Sequence, residues 1–133
     1  MFKKDYLLKL LQQLDKALKK TNQLREEDEA ESALQITKDT YQKLLDFNID
    51  DYGDEPFLEE LLEERSFEFD ELNVLAELLK EEGDIYYETE NYQKSKAKYG
   101  QALEVFAYLN REEKVFSFER EAKISLMEER MQY

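Results

Sequence analysis

The chain has 133 residues and a formal net charge of −14; 39% of its residues are charged, three are Gly and one is Pro. This length suits one domain with a hydrophobic core, and the scarcity of helix breakers argues for long helices and against a β-sheet protein. Because Cys and His are absent, disulfides and thiolate chemistry are excluded, and the commonest general base and metal ligand are missing. The negative charge opposes binding to nucleic acid or to an anionic membrane. We therefore expect a single all-α domain over residues 1–133, with no catalytic activity, no cofactor and no metal.

Residues 1–48 are typical of a first helical hairpin. Apolar residues recur at spacings of three and four over residues 2–20, which predicts an amphipathic helix. Its expected inner face comprises Phe2, Tyr6, Leu7, Leu10, Leu11, Leu14, Ala17 and Leu18. Residues 21–29 are polar and predict a turn, and a second apolar stripe continues to about Asn48. Charged and polar residues interrupt the apolar positions near Met1, so we predict no signal peptide and a cytoplasmic location.

The segment Asn48–Pro56 is the main break in the chain, because it concentrates turn-forming residues and contains the Pro. Acidic residues and a Gly fall at the spacing of a calcium-binding loop: Asp50, Gly53, Asp54 and Glu59. However, Tyr52 stands where such a loop needs an oxygen ligand. We therefore interpret residues 49–66 as an inter-helix loop together with a short helix over residues 56–65.

Residues 67–109 predict a second hairpin, whose central stretch runs from Leu79 to Ala107. Small residues alternate with large flat ones at helical spacing, which lets two helices approach closely. The small residues are Gly83, Ser95 and Ala102, and the large ones are Tyr86, Tyr92 and Tyr99. The turn between the helices is expected at residues 89–91, where the Asn91 side chain can cap the second helix.

The order and spacing of these residues resemble a tetratricopeptide repeat, a helix-turn-helix unit of about 34 residues. The matching residues are Leu79, Gly83, Tyr86, Tyr92, Ser95, Tyr99 and Ala102. The chain departs from the usual pattern at Glu82, Glu90 and Ala107, where Leu, Gly and Pro are common. The resemblance implies tetratricopeptide-like antiparallel hairpins, about six helices in all, with residues 1–48 as a degenerate first repeat. The opening MFKKDYLLKLLQQL is also similar to a small uncharacterised bacterial family of cytoplasmic helical-repeat proteins, which implies a bacterial origin and no particular activity.

Residues 110–133 predict a last helix, which would cap the open face of the second hairpin. The sequence from Asn110 to Glu113 is typical of a capping box at its start. The expected inner side comprises Val115, Phe118, Ala122, Ile124, Leu126 and Met127. Charged residues, including Arg120 and Lys123, are expected to face water.

The resemblance also implies a partner-binding groove. Its positions in the second hairpin are Glu77, Lys80, Asp84 and Tyr87. Family members that bind a peptide carboxylate use Lys and Asn at such positions. Here Lys80 could serve, but Asp84 stands in place of Asn and Glu77 adds a second negative charge. The resemblance thus predicts a protein-protein interaction module, an adaptor or scaffold, for a basic or neutral protein segment.

Other functions and assemblies are open to the sequence. The high negative charge is also compatible with an acidic mimic that neutralises a basic nucleic-acid-binding protein. An enzyme that uses carboxylates and Tyr is a third, less favoured hypothesis. About three repeats are usually needed to bury a continuous core, and this chain has one clear and one degenerate repeat. Either the helices close into a compact bundle, or two chains pair as a homodimer. The small number of repeats favours pairing.

Overall fold

A computed structural model describes the backbone of residues 2–133 and the side chains of residues 4–133. Within this range the protein is all-helical and without strands, as the sequence predicts. The helices are α1 (Phe2–Glu26), α2 (Ala30–Leu45), α3 (Leu58–Glu64), α4 (Phe69–Glu88), α5 (Tyr92–Glu113) and α6 (Phe118–Arg130), with a 3-10 turn at Ile49–Asp51. The chain divides into two compact units, one ending at Asp51 and the other beginning at Tyr52. None of the helices in the described chain combines the length and apolar character that crossing a membrane requires.

The first unit is the hairpin of α1 and α2. Leu10 and Leu14 of α1 are buried, as are Ala33 and Tyr41 of α2. The prediction was wrong for Tyr6 and Leu11 of α1, which are 48% and 41% exposed. Leu11 is rotated by about 100° from Leu10 around the helix axis. Tyr6 lies near the N-terminal end of α1, which has 25 residues against 16 in α2.

The hairpin of α4 and α5 forms the centre of the second unit, and the predicted pairing of a small with a large residue is present between Gly83 and Tyr99. The Tyr99 ring lies directly over Gly83: a Cβ atom on Gly83 would be 2.4 Å from Tyr99 Cδ1. Ser95 Oγ donates a hydrogen bond to the Gly83 carbonyl, at 2.9 Å. Asn91 caps α5 as predicted, since its side chain accepts from the Lys94 amide. Glu90 adopts the left-handed conformation (φ 62°) that explains why Gly is common at this turn position.

The short helix α3 is anchored by α5. Glu104 Oε1 accepts hydrogen bonds from the backbone amides of Phe57 and Leu58, at 3.1 and 2.9 Å. These amides have no partner within their own helix, and a carboxylate next to them also interacts favourably with the helix dipole. Gln101 Nε2 holds the preceding loop by donating to the carbonyls of Gly53 and Glu55.

The start of the last helix differs from the predicted one. The chain has no helix breaker near Asn110, so α5 continues to Glu113 and ends where Lys114 turns left-handed (φ 58°). The predicted capping box at Asn110–Glu113 is therefore wrong. The cap is Ser117, whose Oγ accepts from the Arg120 amide at 3.1 Å. Asn110 instead bonds α6 through its side chain, donating to Glu121 and accepting from Arg120.

The inner side of α6 is also narrower than predicted. Met127 is fully buried, but Val115 and Phe118 are 60% and 84% exposed, and Leu126 is 36% exposed. Val115 precedes the helix, in the connection from α5, and Leu126 is rotated by about 100° from Met127 around the helix axis.

Candidate functional site

The structure places the four predicted groove residues on one stripe of α4. Glu77, Lys80, Asp84 and Tyr87 follow one another at helical spacing within Phe69–Glu88. Their charged side chains are well covered, with 11% of Glu77, 16% of Lys80 and 4% of Asp84 exposed. Side chains of α5 and α6 contact this stripe. We call the stripe the α4 face.

Asp84 is the centre of the α4 face, and both of its carboxylate oxygens are bonded. Oδ1 accepts from the Tyr99 hydroxyl at 2.5 Å and from Arg130 NH1 at 3.0 Å. Oδ2 accepts from Lys80 Nζ at 2.8 Å. Such pairing is needed because a buried carboxylate without partners is costly. Burial and the neighbouring Asp84 charge raise the pKa of Tyr99, so its hydroxyl remains a donor well above neutral pH.

The two ends of the α4 face bind the cationic side chains of α6. Lys123 Nζ lies 2.6 Å from Glu77 Oε1, and only 26% of the lysine side chain is exposed. Arg130 contacts Asp84 and also lies over the Tyr87 ring, with its Cζ atom 4.5 Å from the ring centroid. This is within the range of a cation–π interaction.

An aromatic cluster continues the face beyond Tyr87. Tyr87 meets Tyr92 and Tyr133 edge-on, with ring centroids 5.5 and 5.6 Å apart, and Tyr133 stacks on Tyr92 at 4.6 Å. These contacts tie the residues just after α6 to the turn between α4 and α5. The cluster therefore holds the C-terminal end of α6 beside Asp84.

The contacting residues of α6 have a simple pattern. Lys123, Met127 and Arg130 are spaced at i, i+4 and i+7, which places a cation, a buried apolar side chain and a second cation on one side of the helix. The α4 face is thus complementary to one side of a helix that presents two cations around an apolar residue. The prediction that Lys123 and Arg120 face water was wrong, because Lys123 pairs with Glu77 and Arg120 pairs with Glu113 at 3.0 Å.

Arg130 and Lys123 were missed as site residues, although their spacing around Met127 is visible in the sequence. The signal is weak because charged residues at this spacing are common on any exposed helix. Among the described residues, no group of three or more acidic side chains is arranged to hold a metal ion.

Comparison of the chain with protein-family models, curated proteins and solved structures gives no match. The tetratricopeptide resemblance therefore rests on the sequence pattern of residues 79–102 alone.

Proposed function

We propose that the protein is a non-enzymatic interaction module, a cytoplasmic adaptor or scaffold of tetratricopeptide-like type, that binds a positively charged protein segment through the α4 face. The observation that supports this proposal is the pairing of Glu77 and Asp84 with Lys123 and Arg130 of α6. In this chain, the face that the resemblance marks as a groove pairs with two cationic side chains on one side of a helix.

The charges of the α4 face favour a basic partner over a carboxylate ligand. Within the stripe, Asp84 neutralises the positive charge of Lys80. The Glu77 carboxylate then gives the stripe a net negative charge. A peptide carboxylate would be repelled, whereas Lys or Arg would gain partly desolvated ion pairs. The Tyr87 ring adds a second means of recognising a guanidinium group.

Affinity capture from the lysate of the source cells tests this proposal. The baits are the wild-type protein, the face variant Glu77→Gln/Asp84→Asn, and the control variant Glu59→Gln/Glu60→Gln, which removes equal charge from the exposed side of α3. Circular dichroism first confirms that each variant is folded. We expect a protein partner that the wild type and control retain and the face variant loses. A partner retained by all three baits would contradict the proposal.

A second candidate function is the acidic mimic, which one surface of the second unit favours. Pro56 and Phe57 lie in a shallow depression with four carboxylates around it. These are Glu59, Glu60, Glu63 and Glu104. The capture above separates the two functions: a basic nucleic-acid-binding protein that is lost with the Glu59→Gln/Glu60→Gln bait and released by moderate salt would indicate mimicry.

A further inference from the structure

We propose that α6 is an internal occupant of the α4 face, and that a partner gains access by displacing it. The partner segment would be an amphipathic helix with a cation, an apolar residue and a cation at i, i+4 and i+7. This inference rests on the proposed function, because it concerns the same face, and it adds both the chemistry of the ligand and the control of access.

The helix α6 has far fewer buried residues than the hairpin on which it packs. Among the described residues, α4 has eleven buried residues and α5 has eight, whereas in α6 Met127 is the buried one. Burial of apolar surface is the main favourable term in folding. An element with little of it opens at a lower free energy than the core and can do so without global unfolding.

The contacts that α6 does make can be taken over by another helix. Most of its described attachment is polar: Lys123 with Glu77, Arg130 with Asp84, and Arg120 with Glu113. Another helix with the same charges can replace such contacts one for one. Besides these polar contacts, α6 is anchored by Met127 and, just after its end, by the largely exposed Tyr133 ring, which leaves the helix exchangeable.

The connection from α5 to α6 is short and carries exposed aromatic side chains. It begins at Lys114, the left-handed C-cap of α5, and ends at Ser117, the N-cap of α6. Phe116 and Phe118 flank the Ser117 cap, contact each other edge-to-face at 4.7 Å, and are 66% and 84% exposed. Exposed aromatic side chains of this kind are typical of interface residues. They lie on the segment that must move when α6 lifts, where an incoming partner would meet them.

Displacement of α6 has a quantitative consequence for the binding of an external helix. When the competent state is only partly populated, the apparent dissociation constant equals the intrinsic constant divided by the populated fraction. A change that weakens the docking of α6, without altering the α4 face, should therefore make an external helix bind more tightly. A purely structural α6 would give the opposite result or none, because loosening it would only damage the fold.

A fluorescent peptide with the sequence of residues 117–133 is the probe, titrated into the full-length protein and followed by anisotropy. Two variants loosen α6 in different ways: Met127→Ala removes its apolar anchor, and Lys123→Glu/Arg130→Glu reverses its charges. The control Lys16→Glu/Arg111→Glu makes the same change in net charge at exposed positions. We expect both loosened variants to bind the peptide at least about tenfold more tightly than the wild type and the control.

The outcomes distinguish the two proposals. Equal affinity of all four proteins would overturn the displacement of α6 and leave the binding function of the face intact. If none of the four proteins binds the peptide, and circular dichroism shows that the loosened variants are folded, the function of the face is overturned as well. Binding that persists when Glu77→Gln/Asp84→Asn is added to Met127→Ala would place the peptide elsewhere and contradict both.

Discussion

Replacing Gly83 by Ala tests the close approach on which the second unit is built. In most helices this change is stabilising by about 1 kcal/mol, because Ala is the better helix former. Here the new Cβ atom would lie 2.4 Å from Tyr99 Cδ1 and 2.5 Å from Cε1. The ring cannot move aside easily, since it is fully buried and its hydroxyl is bonded to Asp84. Overpacking costs about 1–3 kcal/mol, and disturbing a hydrogen bond to a charged group costs about as much again.

The gain in helix propensity offsets only part of these costs. We therefore predict that Gly83→Ala lowers the free energy of unfolding by about 2 kcal/mol, measured by urea titration. The matched control is Gly100→Ala, also inside a helix, where the nearest atom to the new Cβ is Met131 Cε at 4.0 Å. We expect that variant to be stabilised by about 0.5–1 kcal/mol. If Gly83→Ala were as stable as the wild type, the packing of α4 on α5 would not be as described.

Three further predictions concern single side chains. Glu104→Ala removes an acceptor that two amides at the start of α3 share, so it should lower the free energy of unfolding by about 2 kcal/mol. Glu104→Gln keeps an acceptor and should lower the free energy of unfolding by less. Equal losses in the two variants would contradict this prediction. Because the folded state raises the pKa of Tyr99 above its unfolded value of 10.0, the stabilisation from its hydroxyl is complete below that pH and is lost as the pH rises above it. The stability difference between wild type and Tyr99→Phe, measured by urea titration in a pH series, should therefore shrink above pH 10; a constant difference would contradict this. Since the chain has no Cys, Met127→Cys introduces a single thiol. This thiol should react with a thiol reagent at least about 100-fold faster than the thiol of the equally buried Val105→Cys variant. Equal rates would show that α6 opens only on global unfolding.

The α4–α5 hairpin could be predicted in detail because its determinants are local. Gly83, Ser95 and Tyr99 recur at helical spacing on two faces that a short turn must bring together, and Asn91 marks the start of the second helix. The positions of the stripe that contains Asp84 came from the tetratricopeptide resemblance, and spacing alone would not have selected them. The tetratricopeptide family itself, and the pairing of two chains, remain predictions; sedimentation at micromolar concentration tests the second, and a clean monomer would contradict it.

The contacts of α6 could not be predicted, because they depend on which charged side chains meet over a long separation in sequence. Lys123 and Glu77 have many alternative partners in an acidic, lysine-containing chain, and only the folded geometry selects this pair. The end of α5 was misplaced for a related reason: the residues after Asn110 are good helix formers, and local preference favours continuing the helix over the capping signal.

Hydrogen exchange in the presence of the peptide shows whether α6 leaves the α4 face. The wild-type protein is labelled with ¹⁵N, so that its own α6 amides are distinguished by NMR from those of the unlabelled peptide of residues 117–133. We predict that the amides of Phe118–Arg130 exchange faster than those of α4 and α5, and faster still when excess peptide is added, while α4 and α5 keep their protection. If α6 exchanged at the same rate as α5 and the peptide left it unchanged, α6 would be a fixed part of the core and not a displaceable occupant of the α4 face.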